Sequence, residues 1–153
     1  DYAKKNTDKR AGEIYSFVCD TTNIKIALRC SHTKKNKDFV ESAIGNCVNI
    51  DTASLIKNTL KGKEELTEFL LKGLYSEGAA LYEENPSAYD KWCDDQIIKM
   101  AKKAKFTAFG FDPVCAYYYA KIIEIKTVNI ALSGLLYSAD KNIIKQRVRE
   151  LYV

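Results

Sequence analysis

Two prolines and seven glycines in 153 residues leave few places where this chain can turn sharply. So few breakers argue against an all-β fold, which needs a turn every few residues, and favour long helices. No apolar run approaches the roughly 20 residues of a membrane span. No charged n-region and apolar core of a signal peptide opens the sequence. The five cysteines (Cys19, Cys30, Cys47, Cys93 and Cys115) are odd in number and lack CxxC or metal-ligand spacing. That pattern points to reduced thiols in a cytosolic compartment. The chain begins at Asp1 rather than methionine, which is expected of a fragment of a longer protein.

What is present is ordinary for a globular chain: 46% hydrophobic and 29% charged residues, with a net charge of +4. Apolar residues recur with helical spacing at Ala11, Ile14, Tyr15, Val18 and Cys19, then at Ile24, Ala27 and Leu28. They predict a first long helix from about Tyr2 to His32. Asp38 is the expected cap of a short helix to Ile44, and Asp51 of one from Thr52 to Leu60, ended by Gly62. Further helices are expected from Lys63 to Leu71, from Ser76 to Glu84 and from Pro86 to Lys105. Phe109-Gly110-Phe111-Asp112-Pro113 is the sharpest punctuation, with Asp112 as cap and Pro113 at the first helical position. A long helix follows to Tyr137, with one apolar stripe of Val114, Tyr118, Ile122, Ile125, Leu132 and Leu136. A second stripe is Ala116, Ile123, Ile130 and Tyr137. Two stripes predict burial between several neighbours. Asp140 should cap a last helix with Ile143, Ile144, Val148 and Leu151 inward. The expected class is all-α, a bundle-like body of long and short helices.

Residues 20–28 and 124–132 share Ile-Ala-Leu and an acidic residue (Asp20, Glu124) at an offset of 104. Tyr15 and Tyr119 keep the same offset. This suggests a duplicated long-helix, turn, short-helix unit. The expected organisation is sub-units 1–50 and 106–153 related by that repeat, joined by short helices over 51–105.

Chemistry is sparse. The single histidine, His32, has no nucleophile or acid at motif spacing, and no Gly-rich phosphate loop, HExxH or GxSxG occurs. The pairs Glu83-Glu84 and Asp94-Asp95 place neighbours on different helix faces and are expected at the surface. Cys19, Cys47 and Cys115 fit apolar positions, while Cys93 is the candidate for an exposed thiol. No catalytic, cofactor-binding or metal residue is assigned. The lysine clusters Lys34, Lys35, Lys37 and Lys102, Lys103, Lys105 keep open an alternative, a helical nucleic-acid-binding module.

The last 44 residues carry a denser pattern. Gly110, Pro113, Ala116 and Tyr117 form a Gly-x-x-Pro-x-x-Ala-Tyr helix start. Glu124, Ile125 and Lys126 form an acid-Ile-Lys segment, and Arg147, Arg149, Glu150, Tyr152 and Val153 form the terminus. This pattern resembles the C-terminal part of the C subunits of archaeal and bacterial V/A-type ATP synthases (V-type ATPases), to which the d subunits of eukaryotic V-ATPases are related. Many members carry a glycine-bearing turn where this chain has Leu135-Leu136-Tyr137-Ser138-Ala139. The resemblance implies a non-catalytic element of the central stalk without cofactor, peripheral to the cytoplasmic face of the membrane. Its partners would be the rotor axle subunits and the proteolipid ring, with torque passed between them for proton or other ion transport. It implies no nucleic acid partner and no membrane span. The family-motif residues Gly110, Pro113, Tyr117, Glu124, Arg147, Arg149 and Tyr152 are then expected to be structural. Arg147 should clamp Glu124, Asn129 or a nearby carbonyl across the last hairpin. Tyr75, Tyr82 and Tyr89, which fit no core stripe, are candidates for a partner surface.

Overall fold

The computed structural model describes residues 9–107 and 110–152. Tyr2 to Asp8, Phe109 and Val153, which enter the expectations above, lie outside the described residues. Among those described there are eight helices and no strand: α1 Lys9–His32, α2 Lys37–Ala43, α3 Thr52–Lys61, α4 Lys63–Leu71, α5 Ser76–Glu84, α6 Pro86–Ala104, α7 Asp112–Leu136 and α8 Lys141–Arg147. The chain is all-α. It forms two compact units, one of residues up to Tyr15 together with Glu84 onward, the other of Ser16–Glu83.

Local chemistry sets most helix ends. Asp51 accepts from Ser54 N and starts α3, and Asn85 accepts from Ser87 N with Pro86 next in line. Gly62, at φ 144, ends α3 and opens α4 with no residue between, in a conformation that a side chain would strain. Two caps differ from expectation. Asn36, not Asp38, caps α2, because it is the residue whose extended backbone lets its side chain reach Phe39 N. Asp112 does not cap its own helix. Its carboxylate accepts from Arg10 N at 3.3 Å and Ala11 N at 2.8 Å, and so caps α1 instead. The first-turn amides of a helix lack internal partners, and a carboxylate also answers the positive end of the dipole.

In the unit of Ser16–Glu83 the core is Ile24, Ala27, Leu28, Val40, Ile44, Leu55, Leu66, Leu70 and Ala79. In the other unit α6 packs on α7, through Ile97, Ile98, Ala101 and Ala104 on one side and Cys115, Ala116, Ala120 and Ile123 on the other. This corrects the expected burial of α7. Val114, Tyr118, Ile125, Leu132 and Leu136 are exposed, and Tyr137 is too. Small residues let two helix backbones approach closely, so the alanine face became the packed one and the large apolar residues stayed outside. The last helix is also shorter than expected. It ends at Arg147, Val148 is extended, and Ile143 and Leu151 are exposed.

The two long-helix hairpins agree in detail at the offset of 104. α1 and α7 have 24 and 25 residues, and α2 and α8 have 7 each. Lys34 and Ser138 both have positive φ, 50° and 53°. Lys35 N bonds Cys30 O while Ala139 N bonds Gly134 O, and Lys34 N bonds Ser31 O while Ser138 N bonds Leu135 O. Both long helices therefore end in a Schellman motif, in which a left-handed residue turns the chain and satisfies the last carbonyls. Here a lysine and a serine occupy the position that glycine fills at no steric cost. Lys34→Gly and Ser138→Gly are each expected to stabilise the protein by about 0.5–1 kcal/mol, the strain relieved less the extra entropy of the unfolded chain. Urea denaturation of the two variants beside the parent measures this.

Candidate functional site

The motif residues at the C-terminus form a strap that lies on α6 and α7. Asp94, on α6 and 4% exposed, is its centre. Arg149 Nε donates to Asp94 Oδ2 at 3.0 Å, and Lys126 Nζ from α7 to Asp94 Oδ1 at 2.8 Å. The Arg149 guanidinium also reaches the carbonyl of Arg147. One residue on, Asp95 Oδ1 accepts from Glu150 N at 2.8 Å, and its other oxygen pairs with Lys91 Nζ at 3.2 Å. Lys91 bonds the Val148 carbonyl as well. Glu150 meets Lys102 at 2.7 Å, which holds its carboxyl below the usual range. Tyr152 packs on Ala101, Ala104 and Ala116, with Lys105 Nζ 5.7 Å from its ring centre. The backbone after α8 thus has its polar groups met by α6 side chains instead of a helical ladder.

This overturns two expectations. Asp94-Asp95 is no surface pair: Asp94 is buried and both carboxylates grip the strap. Arg147 does not clamp Glu124 or Asn129. Its Nε meets Ser87 Oγ at 3.3 Å and its side chain is exposed, whereas Arg149 is the buried arginine. Arg147 and Asn129 do line one groove of about 440 Å³, with Ile130, Gly134 and Ile144, but do not bond. The difference lies in the helix end. Once α8 stops at Arg147, helical spacing no longer decides which arginine turns inward.

The other motif residues take simpler places. Gly110 has φ 102, which only glycine adopts freely, in the turn before α7. Pro113 is in the first turn of α7. Tyr117 is exposed, with Lys121 Nζ 5.6 Å from its ring centre, and Glu124 pairs with Lys121 at 2.6 Å. Tyr117, Glu124 and Tyr152 share a recess of about 220 Å³ with Ile98 and Glu150. Gly110 and Pro113 line neither hollow.

A second polar centre, in the unit of Ser16–Glu83, escaped the sequence reading as a site. Asp20 is fully buried and accepts from Val48 N at 2.6 Å, Asn49 N at 3.0 Å, Asn49 Nδ2 at 2.9 Å and Tyr75 Oη at 2.8 Å. Asn23 Oδ1 holds the same loop through Gly45 N at 2.9 Å. Burial and the Asp20 carboxylate push the Tyr75 phenol well above its ordinary range, so it stays a donor. Tyr75 and Tyr89 are therefore buried, not partner-facing, and Tyr82 is half-buried. The signal was available in the cluster Asp20, Thr21 and Asn23 on a face otherwise apolar.

All five cysteines are free thiols. Burial raises Cys30, Cys47 and Cys115 above the ordinary thiol range, which lowers their thiolate fraction. Among the described residues no group of three metal-ligating side chains gathers, and no helix is long and apolar enough to cross a membrane. Several lysines of the two clusters are engaged locally: Lys37 with Glu41, Lys35 over Phe39, Lys102 with Glu150 and Lys105 over Tyr152.

The buried carboxylates Asp20, Asp94 and Asp112 are each met by donors of the chain itself. Residues 1–147 match the family model described as ATP synthase (C/AC39) subunit, and the chain belongs to that family. It is 26% identical over 144 residues to the C subunit of the V-type sodium ATPase of Enterococcus hirae, an alignment that covers 92% of this chain and 44% of that protein. The chain thus spans less than half the length of that relative. No solved structure matches.

Proposed function

We propose that this chain is a non-catalytic coupling element of a rotary V/A-type ATPase, joining the rotor axle to the membrane proteolipid ring at its cytoplasmic face. In this role it passes torque during ion transport driven by, or driving, ATP turnover. The observation that carries the reading is family membership along nearly the whole chain, together with the similarity to the C subunit of a sodium ATPase. The strap supports it physically: a terminus tied to α6 by ion pairs and backbone bonds resists being peeled away under load, and close-packed interiors deform little. The two hairpins, matched turn for turn, are on this reading copies of one unit, diverged where Asp20 is buried and Glu124 exposed.

The test is capture by immobilised axle subunits and by detergent-solubilised ring, for this chain and for a full-length family member that includes it, alongside an ATPase assay. Binding to both targets by the full-length protein is expected, with weaker binding by the chain alone and no ATP hydrolysis by either. A full-length protein that binds neither target overturns the proposal.

A further inference from the structure

Two half-buried thiols meet in the unit of Ser16–Glu83. On α1, positions 19, 20 and 23 lie within about 100° of one another around the helix axis. Two of them hold the segment that joins α2 to α3. Asn23 Oδ1 accepts from Gly45 N at 2.9 Å, and the Asp20 carboxylate accepts from Val48 N at 2.6 Å and Asn49 N at 3.0 Å. Cys47 falls between those ties, so it crosses α1 at the turn that carries Cys19. Its own amide is fixed on Thr52 Oγ1 at 2.9 Å. Burial, above all, holds the Cys47 thiol over its ordinary range; the Thr52 and Asn23 side chains hydrogen-bond it, and Cys19 lies near enough to act on its charge. Cys19 and Asn23 are one turn apart on the same side of α1, where Cβ atoms stand about 5–6 Å from each other. Both sulfurs therefore occupy one small space beside Asn23.

Distance and access single out this pair. The third cysteine of the unit, Cys30, is 11 positions further along α1, roughly 16 Å of helix rise from Cys19. A disulfide needs Cα atoms within about 7 Å. Cys30 is also buried, whereas Cys19 and Cys47 are each partly open to solvent, so a small oxidant reaches them. Residues 44–51 carry no helix. Their backbone can adjust to an S–S bond without breaking a helical ladder. The raised Cys47 thiol makes a slow nucleophile. What favours the pairing is the nearness of the second sulfur, which turns a bimolecular step into an intramolecular one.

We propose that Cys19 and Cys47 are a redox-sensitive pair that a hydroperoxide closes to a disulfide, pinning the segment before α3 onto α1. Hydrogen peroxide transfers one oxygen to the first thiol, giving a sulfenic acid and one water. The second thiol attacks that sulfur. The S–O bond breaks, the hydroxyl leaves with the thiol proton as a second water, and the S–S bond forms. The two thiols give up two electrons in all, which reduce the peroxide O–O bond. The pair lies within one unit, and the inference is independent of the coupling reading.

The test treats the whole reduced chain with hydrogen peroxide, blocks the remaining thiols with N-ethylmaleimide and maps the peptides by mass spectrometry. The main product should have lost two hydrogens and carry maleimide on Cys30, Cys93 and Cys115. Its Cys19–Cys47 peptide, split by dithiothreitol, should outnumber every other linkage by at least about tenfold. In denaturing urea the same treatment should scatter the linkages over several pairs. The bridged chain should unfold at a urea midpoint higher by about 1 M or more, since the bridge restricts the unfolded state. Cys47→Ala should lose both the bridge and the peroxide-induced shift; Cys19→Ala gives the same reading if that variant does not fold. A dominant bridge to another cysteine overturns the proposal, as does a dimer through Cys93. So does a Cys19–Cys47 pair still reduced once Cys93 is consumed, or taken to sulfinic acids without bridging. The same bridge dominating in urea, or a bridged chain no harder to unfold than the reduced one, overturns it as well.

Discussion

Asp20→Ala is expected to cost about 3 kcal/mol or more. The carboxylate is fully buried and receives four donors, from Val48, Asn49 twice and Tyr75. Alanine fills none of those roles, and each buried donor left without a partner costs about 1–3 kcal/mol. Water can recover part of this at the half-buried loop, but not at the Tyr75 hydroxyl, which is itself buried. Asn is the sharper probe. It keeps one acceptor oxygen but turns an NH2 toward donors, so it should cost about 2–3 kcal/mol despite its matched volume. Tyr75→Phe removes only one hydrogen bond and should cost about 1–2 kcal/mol. Asp20→Ala and Tyr75→Phe remove the two ends of one hydrogen bond, so their sum should exceed the double variant. Thermal and urea melts of the four proteins check it. A melt of Asp20→Ala within 2 °C of the parent would remove Asp20 from the centre of its unit, since about 3 kcal/mol corresponds to roughly 6–12 °C for a chain of 153 residues.

How much of this was legible beforehand follows from what helices announce locally. Caps and breakers act within a few residues. Asp51, Gly62, Asn85-Pro86 and Asp140 therefore marked their boundaries, and the all-α class with its order of elements followed. Faces are a different matter. Whether Val114 or Cys115 turns inward depends on the partner helix, and α6 offers alanines that admit a close backbone and not a wide apolar stripe. The acids failed for the same reason. The sequence marks Asp20 only as a repeat position, puts Asp94 at the surface and sets Asp112 on its own helix, because the donors they serve arrive from 28, 55 and 101 positions away. The terminal motif was visible as a pattern, yet the choice between its two arginines needed the point at which α8 stops.

That choice gives the second large effect. Arg149→Ala is expected to cost about 3–5 kcal/mol, and Arg147→Ala no more than about 0.5 kcal/mol, although the two stand two residues apart in one motif. Arg149 and Asp94 side chains are 7% and 6% exposed, and their bond is 3.0 Å. Removing the arginine leaves the carboxylate in a dry site with only Lys126, whose own side chain is 51% exposed and so keeps much of its hydration. Two further bonds depend on the same strap, from Lys91 to the Val148 carbonyl and from Glu150 N to Asp95, so a freed Arg149 releases more than one contact. Arg147 is exposed and gives up a single long bond to Ser87. The effect should belong to the pair and not to charge as such. Replacing both partners by apolar residues, Asp94→Leu with Arg149→Met, should be milder than Arg149→Ala alone, because no buried charge is then left without a counter-charge. Lys126→Ala, from the exposed side of the same carboxylate, should cost about 1 kcal/mol or less. Urea denaturation of the four variants ranks them. If Arg147→Ala proves the more damaging arginine change, the strap is not anchored at Asp94.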